Sequence, residues 1–273
     1  MLELFQYDFF TNALLAALLS AISCGIIGTY IVARRMVFIG GGITHASFGG
    51  IGIAYFLGMN PILGAAVFAV LSAFGINYFT QRGNIRQDSS IAIWWSLGMA
   101  IGIVFIAITP GYSPNLMSFL FGSILTVTTA DLIYMASLSV LVSLLFILFF
   151  RVIVMISFDE EFARARNLPV NLFNYILMAL SALVIVASIR ISGVILVLSL
   201  LTLPQATANL FTKKFSAIMV SSIFIGFFGM VTGLVISYYT DLPSGATIIL
   251  VLTGLFGVGK AIIVGKQIIT NQN

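Results

Sequence analysis

The only histidine, His45, lies in the run Phe38-Ile-Gly-Gly-Gly-Ile-Thr-His-Ala-Ser-Phe-Gly-Gly-Ile-Gly. Residues three, four and seven apart share a helix face, so Gly41, Gly42, His45, Gly49 and Gly52 form one stripe. Imidazole is a good ligand for zinc and related transition metals. Glycines beside it would leave backbone and ring open to a passing ion. The same small residues would also let a neighbouring helix come close. By spacing alone, a packing histidine that hydrogen-bonds a neighbouring carbonyl stands beside the ligand reading. No Cys or carboxylate adjoins His45 in the sequence, so it builds no tight metal site by itself.

A second cluster is Phe158-Asp-Glu-Glu-Phe-Ala-Arg-Ala-Arg-Asn-Leu-Pro. Asp159 suits a helix N-cap, Glu160 and Glu161 a first turn, Arg164 and Arg166 a last turn, and Pro169 a stop. The pattern reads as a short amphipathic helix outside the apolar segments, a docking surface for a partner or an ordinary solvated loop. In Leu201-Thr-Leu-Pro-Gln-Ala-Thr, Pro204 interrupts an apolar run and is expected to kink it. Thr202, Gln205 and Thr207 then satisfy the freed groups or face a cavity, so Pro204 and Gln205 mark either a gate or a structural bend. Cys24 is a small buried hydrophobe, and the scattered methionines are packing. Trp94 and Trp95 read as interfacial anchors near the end of their helix, and Asp241 as a solvated turn.

The elements that carry these residues follow from composition. Of 273 residues only 20 are charged, 12 Lys or Arg and 8 Asp or Glu, and the mean hydropathy is +1.17. At 7% charge, against about 25% for soluble domains, the chain is no soluble enzyme, nucleic-acid-binding domain or disordered segment. The reading is an all-α, polytopic transmembrane helical bundle of about eight or nine crossings. Crossings are expected at 11–32, 38–57, 61–80, 91–109, 131–150, 172–189, 191–211, 215–238 and 245–264, with no signal peptide. A shorter apolar segment at 113–127 reads as a re-entrant or surface helix. Alternate helix ends collect 11 of the 12 basic residues, all but Arg190. By the positive-inside rule those ends are cytoplasmic, the N-terminus lies outside and the C-terminus inside. No acid is expected mid-membrane, and no phosphate-binding Gly-rich loop is present. An energy source, if transport occurs, therefore lies in a partner.

Four blocks now give the chain a resemblance. They are 35–51 around His45, 159–169, 192–208 (Ser-Gly-Val-Ile-Leu-Val-Leu-Ser-Leu-Leu-Thr-Leu-Pro-Gln-Ala-Thr-Ala), and Asp241-Leu-Pro-Ser-Gly-Ala-Thr. In this order, along nearly the whole chain, they resemble the membrane permease subunit of ABC importers for zinc, manganese, iron and related divalent metals. The resemblance implies one permease domain over 1–273 in a bacterial plasma membrane. It also implies a second permease copy, most simply as a homodimer, cytoplasmic ATPase subunits and an extracytoplasmic metal-binding protein. The divalent metal is cargo, no cofactor is permanently bound, ATP hydrolysis belongs to the partner, and nucleic acid plays no part. By the same resemblance His45, with Gly41, Thr44 and Gly49, lies on the transport path and holds the metal transiently. Asp159, Glu160, Glu161, Ala163, Arg164, Arg166 and Asn167 belong to the segment that couples to the ATPase.

Three departures stand out. The family carboxylate aligns with Gly41, Asn167 stands where Gly is common, and Gln205 replaces a usual Ala. Asn is the next-best residue at a left-handed helix end, so the second change is mild. If His45 is a ligand, its imidazole must be neutral, and mildly acidic pH is expected to slow transport. A permease for a metal chelate or vitamin, or a membrane scaffold without transport, remains as the alternative.

Overall fold

The computed structural model describes residues 8–110 and 124–271. Within them the chain forms ten α-helices and one 3-10 turn, with no strand among the described residues. The helices are α1 (Asp8–Ala33), α2 (Val37–Phe56), α3 (Pro61–Gln81), α4 (Gln87–Ile108), α5 (Thr129–Phe158), α6 (Glu160–Ala165), α7 (Val170–Leu200), α8 (Leu203–Phe211), α9 (Phe215–Thr240) and α10 (Ser244–Asn271). Local signals set their ends. The Asn60 side chain accepts from the Ile62 amide at 2.9 Å with Pro61 behind it, starting α3. Thr128 and Asp131 close a reciprocal capping box at the start of α5.

Eight helical runs among the described residues are long and apolar enough to cross a membrane, making this a multi-pass membrane protein. One of them, Val170–Phe211, has 42 residues. As a straight helix it would measure about 63 Å, twice the roughly 30 Å of a bilayer's hydrocarbon core. It folds back instead. Ser188 Oγ lies 3.5 Å from Cys24 Sγ, and Gln205 Nε2 donates to the Cys24 carbonyl at 2.9 Å. A continuous helix would hold residues 188 and 205 about 25 Å apart. The reversal falls at Gly193, whose φ of 76° and ψ of 166° belong to a region essentially reserved for glycine. The sequence places this break between 189 and 191. The structure moves it a few residues on, to the residue with no Cβ to clash.

Counting both limbs of Val170–Phe211, the described residues make nine helical passes through the bundle. At one face Arg190 pairs with Asp131 at 3.3 Å, and Pro61 lies beside Ile189 and Arg190. At the other, Asn174 meets Glu160. The helix ends there also bring in Arg34, Arg35, Arg82, Arg86, Arg164, Arg166, Lys213 and Lys214. The segment expected at 113–127 falls outside the described residues except for its last four, of which Ile124–Thr126 form the 3-10 turn. Two boundaries differ markedly, and one is the end of α10, seven residues past the expected 264. Helix α5 runs eight residues past the expected end at 150, because its apolar sequence continues beyond Arg151. Its backbone leaves helical values only at Phe149 (φ −112°, ψ 21°).

Helices α1, α2 and α7 are the most buried and form the centre, while α4 and α10 lie at the periphery. Helix α2 packs chiefly on α4 and α3, α1 on α9 and α5, and α7 on α3, α2, α5 and α1.

Candidate functional site

The glycine stripe of α2 is largely a packing surface. A Cβ at Gly52 would lie 2.6 Å from the Gly102 carbonyl oxygen, and one at Gly49 would lie 3.0 Å from that of Gly98. Gly42 abuts Ile91 and Gly50 abuts Gly64. Backbones meet backbones here, so α2 and α4 approach as small-residue membrane helices do. Thr44 is buried and turns its hydroxyl back to the Gly40 carbonyl at 2.6 Å. Gly41 is different. A Cβ there would meet only Leu198 Cδ2 at 3.5 Å and Trp95 Cζ3 at 3.6 Å, which is ordinary contact.

His45 sits at the centre of this surface, half-buried. Its ring stacks on Trp95 with centroids 4.2 Å apart and planes within 7°. Neither spacing nor composition pointed to this partner. Trp95 lies eight residues into α4, about 12 Å along the axis, because α4 starts at Gln87 rather than at 91. It therefore stands about two turns inside α4, and Trp94 lies against Gly75. No group of three or more His, Cys, Asp or Glu that could hold a metal exists among the described residues.

The short helix α6 is built as its sequence suggests. Asp159 caps it, accepting from the Phe162 amide at 2.9 Å. Asn167 closes it with φ 57°. The Leu168 amide reaches the Ala163 carbonyl, and the Asn167 amide reaches that of Arg164. This is the Schellman pattern, normally ended by glycine.

The two sides of α6 differ. Ala163 is fully buried against the bundle. Glu160 faces inward as well and ties three helices together. It binds Arg34 at the end of α1 at 2.6 Å, accepts from Asn174 of α7 at 2.8 Å, and lies 3.9 Å from Arg164. Arg34 also donates to the Ile156 carbonyl of α5 at 2.9 Å. Burial alone would push the Glu160 carboxyl up, but the Asn174 amide and the Arg34 and Arg164 guanidinium groups outweigh it. They hold the carboxyl below the ordinary glutamate range. Outward, Glu161, Phe162 and Arg166 stay exposed, with the Arg166 guanidinium 5.1 Å above the Phe162 ring. Arg164 reaches across to Asn171.

Pro204 starts a helix rather than bending one. It stands in the first turn of α8, where a missing N–H costs little. Gln205 is fully buried, and its Nε2 donates to the Leu200 carbonyl at 3.2 Å as well as to that of Cys24. Leu200 is the residue four before Pro204, so the glutamine amide supplies the donor that proline lacks. Among the described residues Gln205 Oε1 has no hydrogen-bond partner. The turn at 201–202 lies against α2, with Leu198 and Leu201 touching Gly40.

The family model of the ABC 3 transport family matches residues 6–262. The chain belongs to that family. Among its relatives is a Synechocystis protein described as an uncharacterized membrane protein, 42% identical over 92% of this chain and 89% of that one. The manganese transport system membrane protein MntC of Halalkalibacterium halodurans is 36% identical over 93% of this chain and 87% of its own. Among solved structures, PsaBC from Streptococcus pneumoniae in complex with Fab superposes with a TM-score of 0.83 at 33% identity, covering 94% of this chain and 92% of that one.

Within this ABC 3 member, the expected residues fall into three places. His45 and Gly41 adjoin Trp95. Asp159 to Asn167 form α6, and Pro204 and Gln205 form the start of α8. Arg34 and Asn174, which hold α6, had no local sequence signal, because their partner lies over a hundred residues away in one case.

Proposed function

We propose that the chain is the membrane permease subunit of an ATP-driven importer of a divalent transition metal. Among manganese, zinc and iron, manganese is favoured by the names of its curated relatives. The observation that carries the reading is α6, a capped helix clamped to α1, α5 and α7 on one side and displaying Glu161, Phe162 and Arg166 on the other. A rigidly held helix with a free, charged and aromatic face is what a separate ATPase needs in order to push on the bundle. The face carrying α6 and the gathered basic residues is then cytoplasmic. With nine passes, the N-terminus lies outside and the C-terminus inside. An extracytoplasmic metal-binding protein delivers the ion at the opposite face, and a second copy of the chain completes the core.

The chemistry asked of the chain is modest. ATP binding and hydrolysis in the partner switch access from one face to the other. The ion passes His45 and pauses briefly, because a site without a carboxylate at Gly41 binds weakly and so releases readily. Gln205 and Gly193 keep the reversed limb of the bundle against α1 and α2 while the helices move. The test is reconstitution of the permease with its cognate ATPase and a manganese-loaded binding protein in vesicles. ATP-dependent uptake of radioactive manganese is expected, and no uptake of manganese, zinc or iron would refute the reading.

A further inference from the structure

Trp95 is the feature of the site that neither the sequence pattern nor the proposed function uses. Its indole lies parallel to the His45 ring at 4.2 Å, and its edge reaches the space beside Gly41. Among the described residues no hydrogen bond holds either nitrogen of His45. A histidine ring normally owes its orientation to such a bond on the second nitrogen. Here the stack is the contact that fixes the plane of the ring. Because the ring nitrogens point outward in that plane, stacking on one face leaves them free.

Resting on the proposed metal path, we infer that Trp95 is a positioning residue for His45, and that it selects the metal-bound form of the ring. Two effects act together. The indole stops the imidazole from turning, so the nitrogen that meets the ion is already placed. An imidazole that has bound a divalent ion carries positive charge, and the face of an indole attracts such a charge. Trp95 thereby supplies electrostatic help that Gly41 cannot. It does so without a fixed anion that would hold the ion. A Cβ at Gly41 would meet the indole edge at 3.6 Å, an ordinary contact.

The chain has two tryptophans, which makes the inference testable. In a Trp94→Phe variant, Trp95 is the single indole reporter. Titration of that purified permease in lipid nanodiscs with manganese chloride should quench its fluorescence saturably, and adding His45→Ala should abolish the saturable part. Unsaturable quenching that is identical with and without His45 would overturn the inference. In reconstituted uptake, Trp95→Leu should raise the KM for manganese about three- to tenfold, the scale of one cation–π contact, with kcat held within about twofold. Trp95→Phe, which keeps a ring, should restore most of it. A purely structural role would lower kcat in both variants together and would refute the assignment. If His45→Ala leaves KM unchanged, it is the metal path that fails. If His45→Ala raises KM while Trp95→Leu does not, the path stands and the role of Trp95 falls. Should Trp95→Leu not insert, the Trp95→Phe kinetics and the fluorescence titration still decide.

Discussion

Replacing Glu160 with Gln keeps the shape of the side chain and removes its charge at the point where α6 meets α1, α5 and α7. The Arg34 contact is 2.6 Å long, with side-chain exposures of 17% and 30%. Fully exposed ion pairs contribute about 0.2–1 kcal/mol, whereas hydrogen bonds to charged groups contribute about 1.5–3 kcal/mol. This pair is mostly covered and lies between the two, so the loss should be about 1–2 kcal/mol. That raises the fraction of molecules with α6 open about 5- to 30-fold. Hydrogen–deuterium exchange of a peptide spanning 160–168 reads this directly, through the amides of Ala163, Arg166 and Leu168. Arg34→Gln should have a larger effect, because it also gives up the Ile156 carbonyl. The double variant should fall short of the sum of the two singles. Glu160 is more acidic folded than unfolded, so its contribution is complete above the ordinary glutamate value of about 4.3. It fades as pH falls through the lower folded value. Below that window wild type and Glu160→Gln should exchange alike. Equal protection of the two proteins at neutral pH would refute the clamp.

Three further outcomes test the packing. Gly52→Ala puts a Cβ against the Gly102 backbone and should cost about 1–3 kcal/mol. Gly41→Ala meets only ordinary contacts and should be nearly neutral, so similar thermal stability of the two purified variants would contradict the close α2–α4 approach. Gly193→Ala forces an alanine into a glycine-only conformation at about 1–3 kcal/mol. A clear drop in the yield of folded protein is expected, and normal yield and melting would mean that the reversal lies elsewhere. Gln205→Leu removes the donor to the Leu200 carbonyl and should cost about 1–2 kcal/mol, after allowing for the loss of the orphaned Oε1. An unchanged melting temperature would show that another group serves that carbonyl.

The sequence by itself determined the class of the protein, most helix positions and the distribution of charge. Each rests on local chemistry, since apolar runs of spanning length leave a bilayer segment no choice but helix. It also determined α6, because Asp159 and Asn167 cap their own helix within a few residues. The run from 170 to 211 was legible as two crossings, although the turning point at Gly193 was not. A lone glycine in an apolar stretch does not announce its φ.

Only the tertiary structure decided what these residues touch. The stripe around His45 was open to both packing and ion contact. The fold assigns Gly42, Gly49 and Gly52 to packing on α4, because that helix lies within backbone contact of α2. It places Trp95 on His45 across some fifty residues of sequence, and Arg34 on Glu160 across more than a hundred. Pro204, expected to bend a helix, begins one, since the chain has already broken at 201–202. Periodicity records which face of a helix a residue occupies, and the partner on that face is set by how the helices cross.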